Sequence, residues 1–232
     1  EKIAAKGIYR DGVRSSKSHF VKASGLCWIS LMWLTNIPWA QRVWAFSFLT
    51  GLAPSERYYQ TCGRKPKKST DFARQMVFQW SRWLPDKALV VIGDNAYSGL
   101  DFLHAYQSLT QSVTLITRLR LDAALYEPAP VRQPKQKGHP RLKGKRLPTP
   151  RQVADNPHTL WTRRTLSWYD QPARTIEFCS FTVVWYHTGL SPVPVRYVLM
   201  RDVLGKFDPQ ALLSTDLALT PLLILTYFIR RW

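Results

Sequence analysis

The sequence predicts an α/β chain: a mixed sheet flanked by helices, with a basic insertion and additional strands. Three observations carry this expectation. Short uninterrupted apolar runs of strand length recur along the chain, amphipathic or apolar helical patterns separate them, and a stretch near the middle carries basic residues with no acid. The 232 residues suffice to bury a sizeable core, and 45% hydrophobic with 13% aromatic content excludes a solvating, disordered chain.

Residues 26–34 and 43–50 are apolar and rich in aromatic and branched side chains, and Asn36-Ile37-Pro38 breaks them apart. They read as a pair of strands. Residues 55–69 turn polar and basic and read as a loop. Phe72, Met76, Val77, Trp80, Trp83 and Leu84 then recur at helical spacing, with Thr70 as the expected N-cap and Pro85 as the stop. Residues 88–92 form a continuous apolar run that suits a strand covered on both faces. Ser98 is the expected N-cap of a helix reaching about Gln107, and residues 113–117 read as the next buried strand. Strand and helix alternating from 43 to 117 predict parallel pairing.

Arg132, Lys135, Lys137, Arg141, Lys143, Lys145, Arg146 and Arg151 form the basic stretch, expected to be a solvated arm or insertion within about 122–170. Residues 175–187, 195–201 and 211–217 read as further strands, the last two joined through Gly205. Thr220 and Pro221, as N-cap and first helical residue, open an apolar helix that runs to Arg230.

Thirty-three Lys and Arg against fifteen Asp and Glu leave a net charge of +18, which calls for a polyanionic partner. No run reaches the roughly 18 uncharged apolar residues of a membrane span; Asp216 interrupts the C-terminal apolar region and Arg230 ends it. Cys27, Cys62 and Cys179 lack any C-x-x-C spacing, which supports neither a disulfide framework nor a zinc site, and a reducing cytoplasm is the expected compartment. The five histidines show no metal-ligand spacing.

Asp94 follows the apolar run 88–92 in the turn Gly93-Asp94-Asn95-Ala96-Tyr97-Ser98, at the carboxyl end of a strand where α/β sheets expose functional groups. The plainer alternative is that its carboxylate merely caps the turn through the Ala96 or Tyr97 amide. Arg118 and Arg120 alternate with leucines and leave the sheet on one side, where they could hold a phosphate near Asp94 or pair with Asp122 or Asp101. In the basic stretch, Arg141, Lys143, Lys145 and Arg146 suit phosphate contacts, which give affinity without reading sequence.

The segments Lys6-Gly7-Ile8-Tyr9-Arg10-Asp11, Val13-Arg14-Ser15-Ser16, 116–126 (ITRLRLDAALY) and Lys143-Gly144-Lys145-Arg146-Leu147-Pro148 resemble bacterial insertion-sequence transposases of the DDE superfamily. The resemblance extends over nearly the whole chain. It implies a ribonuclease H-like fold in which three carboxylates bind two divalent ions, Mg²⁺ or Mn²⁺, for in-line attack on a phosphodiester. It implies DNA partners, both transposon ends and target, with no membrane role; self-association is left open. Asp94 matches the family's second acid and so becomes the expected catalytic and metal-binding residue.

The first acid of the family falls ahead of a segment like 1–10, and the third beyond a tyrosine-and-arginine helix signature that Tyr227-x-x-Arg230 and Arg231-Trp232 resemble. The expectation is therefore residues 1–232 as a catalytic domain cut short at both ends, carrying one of three metal-binding acids. It should be inactive alone. Its rivals are a non-enzymatic DNA-binding fragment and a basic RNA-associated protein, because fold alone does not fix function.

Overall fold

The computed structural model describes residues 3–16, 18–40, 42–107, 109, 112–132, 138–168 and 171–231. Lys135, Lys137, Glu1 and Trp232 lie outside the described residues. The chain divides into two compact units, residues 1–85 and 86–232.

In the first unit, β1 (Gly7–Arg10) pairs antiparallel with β2 (Lys22–Gly25). The connecting loop is organised by Asp11, whose carboxylate accepts from the Val13 and Arg14 amides at 2.9 and 3.1 Å. Those two N–H groups hold its carboxyl below the usual range. Next, β3 (Cys27–Ile37) and β4 (Arg42–Ala53) form a long antiparallel hairpin with a bulge between Leu31 and Met32. A 3-10 turn at Pro38–Ala40 closes its tip. A connection this short permits only antiparallel pairing, so the strand at 43–50 does not join the parallel alternation expected of it.

A short helix, α1 (Glu56–Thr61), occupies part of the segment expected to be a loop; Ser55 caps it by accepting from the Tyr58 amide. Helix α2 (Ser69–Trp83) follows, and its N-cap is Lys68 rather than Thr70. The Asp71 carboxylate accepts from the Lys68 amide at 2.9 Å, so the acid three residues into the helix decides where it starts. Helix α2 lies on one face of the hairpin. Trp80 packs edge-on to Phe48 with ring centroids 5.4 Å apart, and Met76 sits against Gly51, where a Cβ would fall 2.9 Å from the methionine methyl.

In the second unit the elements are β5 (Leu89–Ile92), a 3-10 turn (Asn95–Tyr97), α3 (Leu100–His104), β6 (Val113–Leu119), β7 (Leu125–Tyr126), α4 (Pro150–Asp155), β8 (Thr162–Trp168), β9 (Gln171–Trp185), β10 (Val193–Asp202), β11 (Gln210–Ser214) and α5 (Pro221–Ile229). The described residues build a seven-stranded mixed sheet in the order β5-β6-β11-β10-β9-β7, with β8 beside β9. Only β5 and β6 run parallel, from Leu89↔Val113 to Ile92↔Ile116. Strand β5 lies at the sheet's edge, its Val90 and Ile92 half-buried, so it is less covered than an uninterrupted apolar run suggests.

Ser98 is not the N-cap of the following helix; it closes the 3-10 turn. It is buried and donates its hydroxyl to the Asn95 carbonyl, so α3 begins after Gly99 and ends at His104. Strand β8, polar in composition, is absent from the expected elements; Arg163 opposite Glu177 and Thr165 opposite Thr175 join it to β9. The turn from β10 to β11 uses Gly205 at φ 66°, a conformation other side chains resist.

Helix α5 opens as expected, with the Thr220 hydroxyl accepting from the Leu223 amide and Pro221 in the first turn. It covers one sheet face. Ile224, Leu225 and Phe228 bury against Ile116, Ile176, Phe178, Val198, Met200 and Leu212. Among the described residues, no helix is long and apolar enough to cross a membrane.

Candidate functional site

Strand β5 ends at Ile92, and the Gly93 amide makes one more ladder bond, to the Ile116 carbonyl at 2.9 Å. The chain then turns through Asp94, which caps the 3-10 turn. Its Oδ1 accepts from the Asn95 amide at 2.9 Å, one residue nearer than the Ala96 or Tyr97 amide expected of a turn cap. The carboxylate caps the turn and remains open to solvent, its side chain 58% exposed.

A second donor comes from the end of α5. The Arg231 guanidinium donates from Nη1 to the Gly93 carbonyl at 3.1 Å and to Asp94 Oδ1 at 3.3 Å. Arg231 is only 13% exposed and lies over the Phe228 ring, 4.4 Å from its centroid. The cation is therefore the more buried partner and the carboxylate the exposed one. The sequence marks Arg231 only as part of a helix signature; its contact with Asp94 depends on how α5 docks.

Arg118, on β6, and Arg120, one residue past its end, meet different fates. Arg118 is half-buried and also lies over the Phe228 ring, 5.6 Å from its centroid. The β5–β6 register sets it two residues past Ile116, as Asp94 is two past Ile92. Arg120 is exposed and forms a two-point ion pair with Asp122, its Nε donating to Oδ1 at 2.8 Å. That guanidinium keeps the Asp122 carboxyl below its usual range. Asp101 takes no part in it.

The basic stretch is not a free arm where it is described. The Leu147 amide donates to the Leu125 carbonyl, the Glu127 amide to the Lys145 carbonyl, and the Gly144 amide to the Glu127 carbonyl, all within 2.9 Å. Residues 143–147 thus run beside β7, with an isolated antiparallel bridge between Tyr126 and Arg146. Arg141, Lys145 and Arg146 are exposed, whereas Lys143 is half-buried. The Lys143 ammonium sits 3.6 Å from the Tyr126 ring centroid and 4.4 Å from that of Tyr186. Tyr126 belongs to the motif string; nothing in the sequence singles out Tyr186.

A further charged group lies on β8, β9 and β10, where Glu177 accepts from Arg163 at 2.8 Å and from Arg201 at 2.9 Å. Arg163 first and Arg201 second hold its carboxyl below the ordinary glutamate range. Arg201 also lies over Trp161, 4.2 Å from the ring centroid. This acid is fully engaged with its own cations.

Two divalent ions need several hard oxygen ligands converging on one place. Among the described residues no group of three or more His, Cys, Asp or Glu could hold a metal ion. At Asp94 the donor set is a single carboxylate, and one of its oxygens already faces a guanidinium. These residues do not fit a two-metal centre.

A family model described as DDE superfamily endonuclease matches residues 5–175. No curated protein matches the chain. The match spans both the hairpin unit and the strand that delivers Asp94, and continues through the basic segment into β9. With its mixed sheet and its solvent-facing aspartate at the carboxyl end of β5, the chain belongs to the DDE superfamily endonucleases, whose substrate is DNA and which generally use divalent metal ions.

Proposed function

We propose that this chain is part of the machinery of DNA transposition, in which a phosphodiester is cut and a strand joined, with Asp94 as its reaction-centre acid. One observation carries the reading: in a chain of this family, Asp94 sits solvent-facing where the parallel strand β5 ends. Residues 1–232 are part of a catalytic domain on this reading, and the segment at about 122–170 is its basic insertion. Arg141, Lys145 and Arg146 meet phosphates there; Arg118 and Arg120 are further candidates, the latter partly neutralised by Asp122. The charge of +18 supports affinity for any duplex rather than for one sequence.

A narrower reading is favoured by the guanidinium beside Asp94 and by the lack of an acid cluster among the described residues. These 232 residues bind DNA but do not cut it unaided. The test pairs duplex binding with a nicking assay on supercoiled plasmid in Mg²⁺ or Mn²⁺. Binding without nicking is expected. Nicking that Asp94→Ala abolishes would overturn the narrower reading, and structured RNA that displaces the chain where duplex DNA does not would overturn both.

A further inference from the structure

We infer that Lys143 is the anchor of the basic segment rather than one of its phosphate contacts. Its ammonium, held between Tyr126 and Tyr186, pins residues 143–147 to the sheet and thereby presents Lys145 and Arg146 to a phosphate backbone. The inference rests on the reading of duplex DNA as partner and deepens it, by dividing four neighbouring basic residues into one that positions and three that bind.

The division starts from the hydrogen bonds. Glu127 accepts from the Gly144 amide and donates to the Lys145 carbonyl, so Gly144 and Lys145 together oppose one residue. That is a bulge, and a bulge shifts the alternation of its strand by one and re-aims the side chains beyond it. Tyr126 lies opposite Arg146. With two residues set against Glu127, Lys143 comes opposite Pro128, and so shares the face of Tyr126 instead of pointing away from it.

Glycine is required at the bulge. A Cβ on Gly144 would fall 2.6 Å from the Pro128 carbonyl oxygen and 2.8 Å from the Glu127 Cβ. Both are closer than real contacts allow, and the first is backbone that cannot swing aside. The sequence Lys143-Gly144-Lys145 therefore makes a close approach that a third lysine in the middle could not.

The cage explains why the positive charge of Lys143 is held inward. The Tyr126 and Tyr186 rings meet edge-on, their planes 79° apart and centroids 6.2 Å apart, and the ammonium lies within 4.4 Å of both. Two ring faces attract one cation through their quadrupoles, most strongly where water is excluded. Reaching a phosphate would require Lys143 to leave both rings. Lys145 and Arg146 face no such cost, because they are already exposed.

Duplex affinity across a range of KCl concentrations, together with amide hydrogen exchange on the free chain, separates anchoring from binding. Each cation that neutralises a phosphate adds about 0.9 to the slope of log affinity against log salt. The double variant Lys145→Gln/Arg146→Gln should lose about 1.8 of that slope and keep its amide protection. Lys143→Met should keep the slope, lose affinity by about two- to tenfold as the cation–π contact disappears, and expose the Gly144 and Leu147 amides to exchange. Lys143→Arg, which keeps a cation over the rings, should restore both.

Loss of about 0.9 in slope by Lys143→Met with unchanged exchange would make Lys143 an ordinary phosphate contact and overturn the inference. Rapid exchange of the Gly144 and Leu147 amides in the unaltered chain would overturn it without any variant. If the unaltered chain fails to bind duplex at all, the DNA reading falls. The exchange of Lys143→Met against Lys143→Arg still decides whether the cage anchors the segment.

Discussion

The two units bury their aromatic and aliphatic side chains with very different success. In the second, a broad sheet offers a continuous apolar face to α5, and Ile116, Val198, Leu212 and Phe228 are wholly shielded from solvent. In the first, α2 covers one side of a two-stranded hairpin, and on the other side Trp28 stays 59% exposed. The difference lies in geometry rather than composition, since both units are rich in large apolar residues. A ribbon two strands wide presents too narrow a face to be closed from both sides. Stability in this chain should therefore be concentrated in the second unit, and the tip that carries Asp94 belongs to that unit.

The largest effect expected from this contrast is at Phe228. Its ring fills the core under α5 and carries Arg118 and Arg231. Phe228→Ala should cost about 3–5 kcal/mol in urea unfolding. A loss below about 1 kcal/mol, a scale typical of sites that relax fully, would break the contrast. A middle-sized effect is expected at Asp94. Asp94→Ala strips a mostly buried guanidinium of its carboxylate, so it should destabilise the second unit by on the order of 1 kcal/mol. Asp94→Asn, which keeps an oxygen for Nη1, should cost less by the same measurement. A cleavage defect in Asp94→Ala consequently needs Asp94→Asn beside it before it is credited to chemistry. The smallest effect is expected in the hairpin. Trp28→Ala should change stability by no more than about 0.5 kcal/mol, and a larger loss would mean that this face is covered in solution.

Elements whose signals are local were legible in the sequence. The Thr220-Pro221 start of α5 and the apolar runs that become β5, β6, β10 and β11 need only neighbouring residues to be recognised. Helix α2 is capped two residues before Thr70 because Asp71 reaches back to the Lys68 amide, a contact that outranks the hydroxyl of Thr70 as a cap. Strand β8 leaves no mark in the sequence because Thr162-Arg163-Arg164-Thr165 has no apolar alternation. Its place depends on Glu177, fourteen residues further on.

The same division runs through the candidate site. Asp94 is legible as a carboxylate after an apolar strand, since strand and turn are written in consecutive residues. Arg231, 137 residues away, was not legible as its partner.

By itself the sequence determined the α/β class, the family, the excess positive charge and the aspartate at a strand end, all carried by composition or by residues adjacent in the chain. The tertiary structure alone decided which cation neutralises that aspartate, that a lysine of the basic segment is caged between two tyrosines, and that one hairpin face stays open. The physical reason is common to all three. Ion pairs, cation–π contacts and burial depend on distance in space, and nothing in the spacing of distant residues along a chain specifies that distance.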